Sequence, residues 1–481
     1  MNLGFSTEGL LIGGVRRTAS GGATLPIENP STGETVGAIP AGTAADIDEA
    51  VAAARAAQPG WADTAAADRG RVLAAIGRLV AERAEELAQV EVIDVGKPLT
   101  QARADARALS RYLEFYAGAI DKLHGETIPY LPGYTVYTLR EPHGVTGHII
   151  PWNYPMQIVG RSVVAAIATG NAAVLKPAEQ ASLTAILFSR IAGEAGLPAG
   201  VLNVVTGTGA EAGAALAGHP GIDHLSFTGS TNVGIAIQTA AARNAVPVTL
   251  ELGGKSPQLV FADADLDRAL PSLVNAAIQN AGQTCSAGSR ILVQRPIYDA
   301  LVDRMAVRFA ALRAGPAIDD LDLGPLISAR QRTMVTRFVD QGRAELTLAA
   351  EGQVAAGAPS GGHYVAPALF TAVPHQHRLA QEEIFGPVAV VIPFEDEEEA
   401  VAIANGTPYG LVAGVWTGDA GRQLRLGRRL RAGQVFLNNY GAAGGVELPF
   451  GGVGRSGHGR EKGMEALLSF TAVKTVAAWH G

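Results

Sequence analysis

The chain of 481 residues contains a single cysteine, Cys285, so it can close no intrachain disulfide, as fits a reducing compartment. Nowhere do about eighteen apolar residues run together, which excludes a transmembrane helix. No block of Lys or Arg supplies the electrostatic footprint of nucleic acid or an anionic membrane, and the formal charge of -7 is mild for this length. The start, Met1-Asn-Leu-Gly-Phe-Ser6, lacks a basic head, and the apolar patch from Leu10 to Gly14 is interrupted by glycine, so no leader is expected and the cytoplasm is the expected location. His375 and His377 have metal-pair spacing, but Pro374 and Arg378 flank them and no further ligand joins them, so no metal is expected. What remains is ordinary globular composition, 47% apolar and 17% charged, enough for two or three domains whose partners are small molecules or further copies of the chain.

Helical periodicity comes first. Asp46 is placed to cap a helix over 47–58, a long amphipathic run spans 64–95, and a third covers 100–123. Alternation over 134–139 predicts a strand, one arm of an excursion. From Gly144 the rhythm becomes short strand, Gly-bearing turn, helix: strands at 145–150, 172–175, 201–205 and 224–227, each followed by a helical segment. A second such series starts after Glu251, with strands at 257–261, 290–293, 388–394 and 410–416. Two α/β units with doubly wound, Rossmann-like parallel sheets are therefore expected, with ligand at the carboxyl ends of the strands.

Cys285 ends the turn Asn280-Ala-Gly-Gln-Thr-Cys285, and Glu251 stands between the β-rich run Pro247 to Leu250 and two glycines. Both sit where a scaffold element gives way to a loop, the usual place for catalytic side chains. A buried, inert role for a lone Cys is the competing reading. Three glycine patterns compete for a phosphate: Gly207-Thr-Gly209, which follows a strand and opens a helix; Gly452-Val-Gly454-Arg-Ser-Gly457, with no strand expected before it; and Gly229-Ser-Thr-Asn-Val-Gly234, with a serine and free N–H groups at a helix start. Gly253-Gly-Lys-Ser256 looks like the tail of a P-loop, but Thr249 stands where that motif needs its first glycine. Lys176 and Glu179 end a strand, where a carboxylate would accept ribose hydroxyls and repel a 2'-phosphate.

Taken together, Pro151-Trp-Asn-Tyr-Pro155, Leu175-Lys-Pro-Ala-Glu179, Phe227-Thr-Gly-Ser230, Leu250-Glu-Leu-Gly-Gly-Lys255, Gly282-Gln-Thr-Cys285, Glu382-Glu-Ile-Phe-Gly-Pro387, Pro449-Phe-Gly-Gly452 and Gly459-Arg-Glu461 closely resemble the motifs of the aldehyde dehydrogenase superfamily, in its order and over essentially the whole chain. The resemblance implies Cys285 as nucleophile, Glu251 as general base and Asn153 as side-chain donor to the oxyanion. It implies NAD, rather than NADP, held by Lys176 and Glu179 at the adenosine ribose, by Gly229 and Ser230 at the pyrophosphate, by Glu383 at the nicotinamide ribose and by Phe385 near the nicotinamide. Ile149, Pro151, Trp152, Gly209, Phe227, Thr228, Val233 and Leu252 complete the implied cofactor set. It also implies a cofactor domain over 1–119 and 144–250, a catalytic domain over 251–440, and a β extension over 120–143 and 460–481 that forms homodimers or homotetramers.

The chemistry is consistent with those roles. A thiolate adds readily to an aldehyde as a thiohemiacetal and later leaves well from a thioester, which a carboxylate base clears by activating water. Glu461 is open between proton relay and an ion pair with an arginine. For the substrate, Tyr154, Ile158 and Tyr440 suit an apolar or aromatic aldehyde, whereas Arg161 resembles the position from which semialdehyde-oxidising relatives grip a remote carboxylate, though Gln279 and Gly445 stand where those relatives complete the clamp. A cysteine esterase without nicotinamide is the rival of another class.

Overall fold

The computed structural model describes residues 9–481. The stretch Met1 to Ser6, on which the expectation about a leader rests, lies outside them. Five strands form the parallel heart of the first sheet, in the order Leu202–Val204, Ala172–Lys176, Val145–Ile149, His224–Gly229, Val248–Leu252. Val145–Ile149 and Ala172–Lys176 are buried at every position, as strands covered by helices on both faces must be, and apolar clusters fill the space on either side. The second sheet orders Thr347–Glu351, Ala368–Thr371, Val388–Phe394, Arg290–Gln294, Pro257–Val260, Val412–Trp416 and Gln434–Leu437 around its own core.

Both sheets are mixed rather than purely parallel. Leu10–Ile12 pairs antiparallel with Leu202–Val204 and with Val15–Arg17, Gly457–His458 pairs antiparallel with Leu250 and Glu251, and Thr347–Glu351 runs antiparallel to Ala368–Thr371. The glycine pattern at Gly452 to Gly457 thus ends in an edge strand of the first sheet. The Tyr134–Pro142 strand finds its partner in the C-terminal strand Thr471–Trp479, antiparallel over nine residue pairs, and this two-stranded ribbon stands apart from both sheets. No helix among the described residues is long and apolar enough to cross a membrane.

The helices differ from expectation at their ends for local reasons. The first runs Ala44–Asp63; its N-cap is Thr43, and Asp46 sits at the third helical position, accepting the Thr43 N–H at 2.9 Å to close a capping box. The long run breaks at Arg83 (φ -102°, ψ 20°) into Ala66–Glu82 and Ala84–Asp94. The next helix spans Leu99–Ala119, and a single 3-10 turn, Ile120–Lys122, closes the run.

Candidate active site

Cys285 is delivered by a helix and a strained turn. The helix Leu266–Ile278 starts on an Asp265 cap, whose carboxylate accepts the N–H groups of Asp267 and Arg268 at 3.1 and 3.2 Å. Beyond it Asn280, Ala281 and Gly282 all take left-handed backbone, at φ of 51°, 55° and 74°. Side chains must hold such a turn, since a left-handed alanine is disfavoured. Asn280 Nδ2 donates to the Asn153 carbonyl at 3.1 Å, Gln283 Nε2 donates to the Asn280 carbonyl at 3.0 Å, and the Ile327 N–H donates to Gln283 Oε1 at 2.9 Å. Glu251 arrives from the other side, on the last-but-one residue of Val248–Leu252, paired in register with Thr228 on one side and Gly457 on the other.

The two elements meet in one cavity of about 1580 Å³, lined by Asn153, Glu251 and Cys285 together with Pro151, Trp152, Tyr154, Ile158, Arg161, Thr228, Gly229, Ser230, Glu383, Phe385 and Tyr440. Asn153 is 4% exposed and gives one amide hydrogen to the Gln283 carbonyl at 2.9 Å, leaving a second for a ligand. Burial pushes the Cys285 thiol up to about 11, against the pull of the Arg161 guanidinium. Burial and the neighbouring Glu461 push Glu251 well above the usual carboxylate range, although Arg161 and Arg460 oppose this; neither Glu251 oxygen has a hydrogen-bond partner among the described residues. Gly451 makes room for this carboxylate, because a Cβ there would lie 2.7 Å from Glu251 Oε1.

Arg161 lies on the π-helical turn Val159–Val164, a widened turn of the kind found at functional sites, and it faces the cavity. Its charge is already met: Nε is 2.5 Å from Glu461 Oε2, both side chains are buried, and the guanidinium stacks 4.7 Å from the Phe450 ring centroid. A substrate carboxylate clamped by Arg161 would have to displace Glu461. Burial lowers Arg161, yet the carboxylates of Glu461 and Glu251 more than reverse this and hold it above its ordinary range. The other oxygen of Glu461 ends a buried chain of donors: Ser226 Oγ to Glu461 at 3.0 Å, Ser162 Oγ to Ser226 at 3.1 Å, and His148 Nδ1 against Ser162 at 2.6 Å. Burial holds His148 down at about 3, hence neutral, and Thr146 Oγ1 lies 2.8 Å from its Nε2.

Polar contacts hold the aromatic side chains of the channel wall in place. The Lys97 ammonium sits 4.0 Å from the Tyr154 ring centroid, buried between Glu91 and Asp105, and the Tyr154 hydroxyl meets Thr284 Oγ1 at 3.0 Å. Tyr440 donates to the Ser286 carbonyl at 2.5 Å. Phe436, Phe450, Val412 and Val446 also line the cavity; Val412 lies in the strand expected over 410–416 and Phe450 in the Pro449-Phe-Gly-Gly452 motif, while Phe436 and Val446 belong to no pattern seen in the sequence. Lys462 lines it too; its only local cue was adjacency to Glu461.

The cofactor-side residues present a groove that fits a dinucleotide. Thr228, Gly229 and Ser230 lie where the His224–Gly229 strand passes into the helix Thr231–Ala242, Ser230 is that helix's N-cap, and the buried Thr228 hydroxyl has no partner among the described residues. Glu383 lies flat against backbone: Oε1 accepts the Gly254 N–H at 3.1 Å, and a Cβ on Gly253 would fall 2.0 Å from Oε2. Burial pushes Glu383 up to about 7, against the Gly254 N–H and Lys255. Phe385, at φ 56°, meets Trp152 edge to face at 5.3 Å. Lys176, at the end of Ala172–Lys176 and two strands across the sheet from His224–Gly229, pairs with Glu179 at 3.1 Å, and burial lowers its ammonium. Ile149, Lys176, Glu179, Gly209, Phe227, Val233 and Leu252 fall outside the cavity lining. Phe227 and Leu252 are buried beneath it, and Val233 is exposed on the helix after Ser230. Gln180 and Asn232 line the groove and were not foreseen. His377, half of the considered metal pair, caps the Leu379 N–H and meets Glu345.

A family model described as "Aldehyde dehydrogenase family" matches residues 17–476. The hydroxyisobutyraldehyde dehydrogenase of Mycolicibacterium austroafricanum is 42% identical, over 95% of this chain and 91% of that protein. A crystal structure of a protein from Burkholderia cenocepacia, named as an aldehyde dehydrogenase, is 63% identical with a TM-score of 0.98, covering 98% of this chain and all of that one. The NAD+ complex of the aldehyde dehydrogenase from Bacillus cereus is 40% identical with a TM-score of 0.95, covering 99% of this chain and 97% of that one.

Proposed function

The chain belongs to the aldehyde dehydrogenase family, and from that premise we propose that it oxidises an apolar or aromatic aldehyde to the carboxylic acid with NAD. The observation that carries this reading is the meeting of Cys285, Glu251 and Asn153 on one cavity beside the Thr228–Ser230 groove.

The Cys285 thiol first loses its proton to solvent, the thiolate Sγ attacks the aldehyde carbon, and the C=O electron pair moves onto oxygen. The second Asn153 amide hydrogen and the Cys285 backbone N–H stabilise that oxyanion, donors in place before the charge develops. When bound, the nicotinamide supplies the acceptor that takes the adduct to the thioester oxidation level. Glu251, whose raised affinity for protons suits a base, removes a proton from water as that water attacks the thioester carbonyl. The tetrahedral adduct then collapses, the C–S bond breaks with its electron pair on sulfur, and the acid leaves as the proton held by Glu251 returns to Cys285 Sγ.

Glu179 beside Lys176 supports NAD over NADP, since a carboxylate disfavours a 2'-phosphate. Tyr154, Ile158, Phe436 and Tyr440 support an apolar body for the aldehyde. The ribbon of Tyr134–Pro142 and Thr471–Trp479 supports a homo-oligomer, for it leaves Val473 54% and Trp479 64% exposed, and the neighbouring Tyr130 65%. An esterase without nicotinamide leaves the cofactor groove unexplained. The test is NADH formation from aliphatic, aromatic and carboxylated aldehydes with NAD and NADP. The reading expects turnover with NAD that Cys285→Ala abolishes; ester hydrolysis without NADH from any aldehyde would overturn it.

A further inference from the structure

Among the described residues two buried cations line this cavity, and one of them, Arg161, is met by Glu461. Lys462 is the other. It is 8% exposed, it faces the cavity, and no ion pair forms at it among the described residues; its Nζ donates only to the Gly444 carbonyl, at 3.0 Å. A buried ammonium with one neutral acceptor is costly unless a ligand completes its shell.

The backbone is bent to place it there. Lys462 has φ 64°, a left-handed conformation that favours glycine, and the bend is clamped on both sides. The Glu461 and Phe450 backbones exchange hydrogen bonds of 2.8 and 2.7 Å, and the Gly463 N–H donates to the Val446 carbonyl at 2.8 Å. Strain held this firmly at a cavity wall points to a role for the side chain it aims. The ammonium lies 5.9 Å from the Phe450 ring centroid, and Phe450 lines the same cavity as Cys285, which packs against the apolar cluster to which Phe450 belongs.

We propose that Lys462 receives a carboxylate at the far end of the aldehyde, making the substrate an ω-carboxylated aldehyde whose short apolar or aromatic body lies along Phe450. This rests on the reading that Cys285 takes an aldehyde, and it names the substrate class for that site. Arg161, the cation that the sequence offers for this task, is committed to Glu461. The charged groups facing Lys462 are Arg161, Glu447 and Glu461; burial and Arg161 draw its ammonium down to about 8, the two acids oppose that, and it carries its charge at neutral pH.

The test compares 4-carboxybenzaldehyde with its methyl ester, at neutral pH, on the wild type, Lys462→Met and Lys462→Arg. The wild type prefers the acid. Lys462→Met lowers the acid-to-ester ratio of kcat/KM on the order of 10-fold, the worth of a hydrogen bond to a charged group, chiefly through KM for the acid, and Lys462→Arg keeps the preference. An unchanged acid-to-ester ratio in Lys462→Met, or equal losses on both substrates, would overturn the proposal. A second readout needs no turnover: terephthalate should protect Cys285 from iodoacetamide in the wild type and not in Lys462→Met, and equal protection in both contradicts the site. Absence of NADH with every aldehyde would instead defeat the catalytic reading, and the protection assay still decides the anion site.

Discussion

Replacing Arg161 by Met would strand Glu461, a fully buried carboxylate whose one ion-pair partner among the described residues is the guanidinium 2.5 Å away. Removing one member of a buried pair costs about 3–5 kcal/mol, because the remaining charge keeps its desolvation penalty without its compensation. The Ser226 hydroxyl, which donates to the other oxygen at 3.0 Å, softens this loss without abolishing it. In a thermal melt a change of that size lowers Tm on the order of 10 °C for a unit of ordinary domain size. The double variant Arg161→Met/Glu461→Gln carries no stranded charge, so it should recover most of the loss, and the double-mutant cycle should return at least about 2 kcal/mol of coupling. A single variant that melts within about 2 °C of the parent, or a double variant no more stable than the single, would refute the assignment of Arg161 to Glu461.

Three further outcomes follow from the same geometry. Ser226→Ala removes a neutral donor to a buried carboxylate and should cost about 1.5–3 kcal/mol, read as a fall in denaturation midpoint; no change would mean that the Ser162–Ser226 chain does not bear on Glu461. Since burial raises the Cys285 thiol to about 11, its thiolate fraction in the free enzyme grows with pH throughout the neutral and mildly alkaline range. Iodoacetamide inactivation should therefore accelerate about tenfold per pH unit without levelling before pH 10, whereas a plateau near pH 8 would contradict that burial. Gly253→Ala places a Cβ against Glu383 and should raise KM for NAD by up to about 100-fold through misplacement of that carboxylate; an unaltered KM would remove Glu383 from the cofactor site.

The parallel strands were legible because each is a short apolar run followed by a turn residue and a helical period, all local signals. Cys285 and Glu251 were legible for a related reason: each stands within three residues of a glycine where an element gives way to a loop, and the Gly229 turn has the same character. The antiparallel edges were not. Leu10–Ile12 spans only three residues, and its partner Val204 lies far along the chain, so nothing nearby marks it as a strand. Gly457–His458 reads as a glycine-rich loop until Leu250 and Glu251 supply the other half of the ladder. The break at Arg83 escaped notice because alanine and leucine keep helical periodicity on both sides of it. In the site, Arg161 was found by its offset from Asn153, but its commitment to Glu461 depends on an approach between residues 300 positions apart that periodicity cannot register. Lys462 was missed because a lysine beside a Glu is ordinary in any sequence. Its burial exists only once the 444–450 segment folds over it.

The central claim is that Cys285 carries the acyl group and Glu251 releases it. Its most direct measurement is mass spectrometry of Glu251→Gln mixed with NAD and an aldehyde that the parent enzyme oxidises. The account predicts one acyl group on Cys285, formed together with a single equivalent of NADH and then persisting. Undiminished steady turnover in this variant, or NADH production with no adduct on the chain's one sulfhydryl, would contradict it.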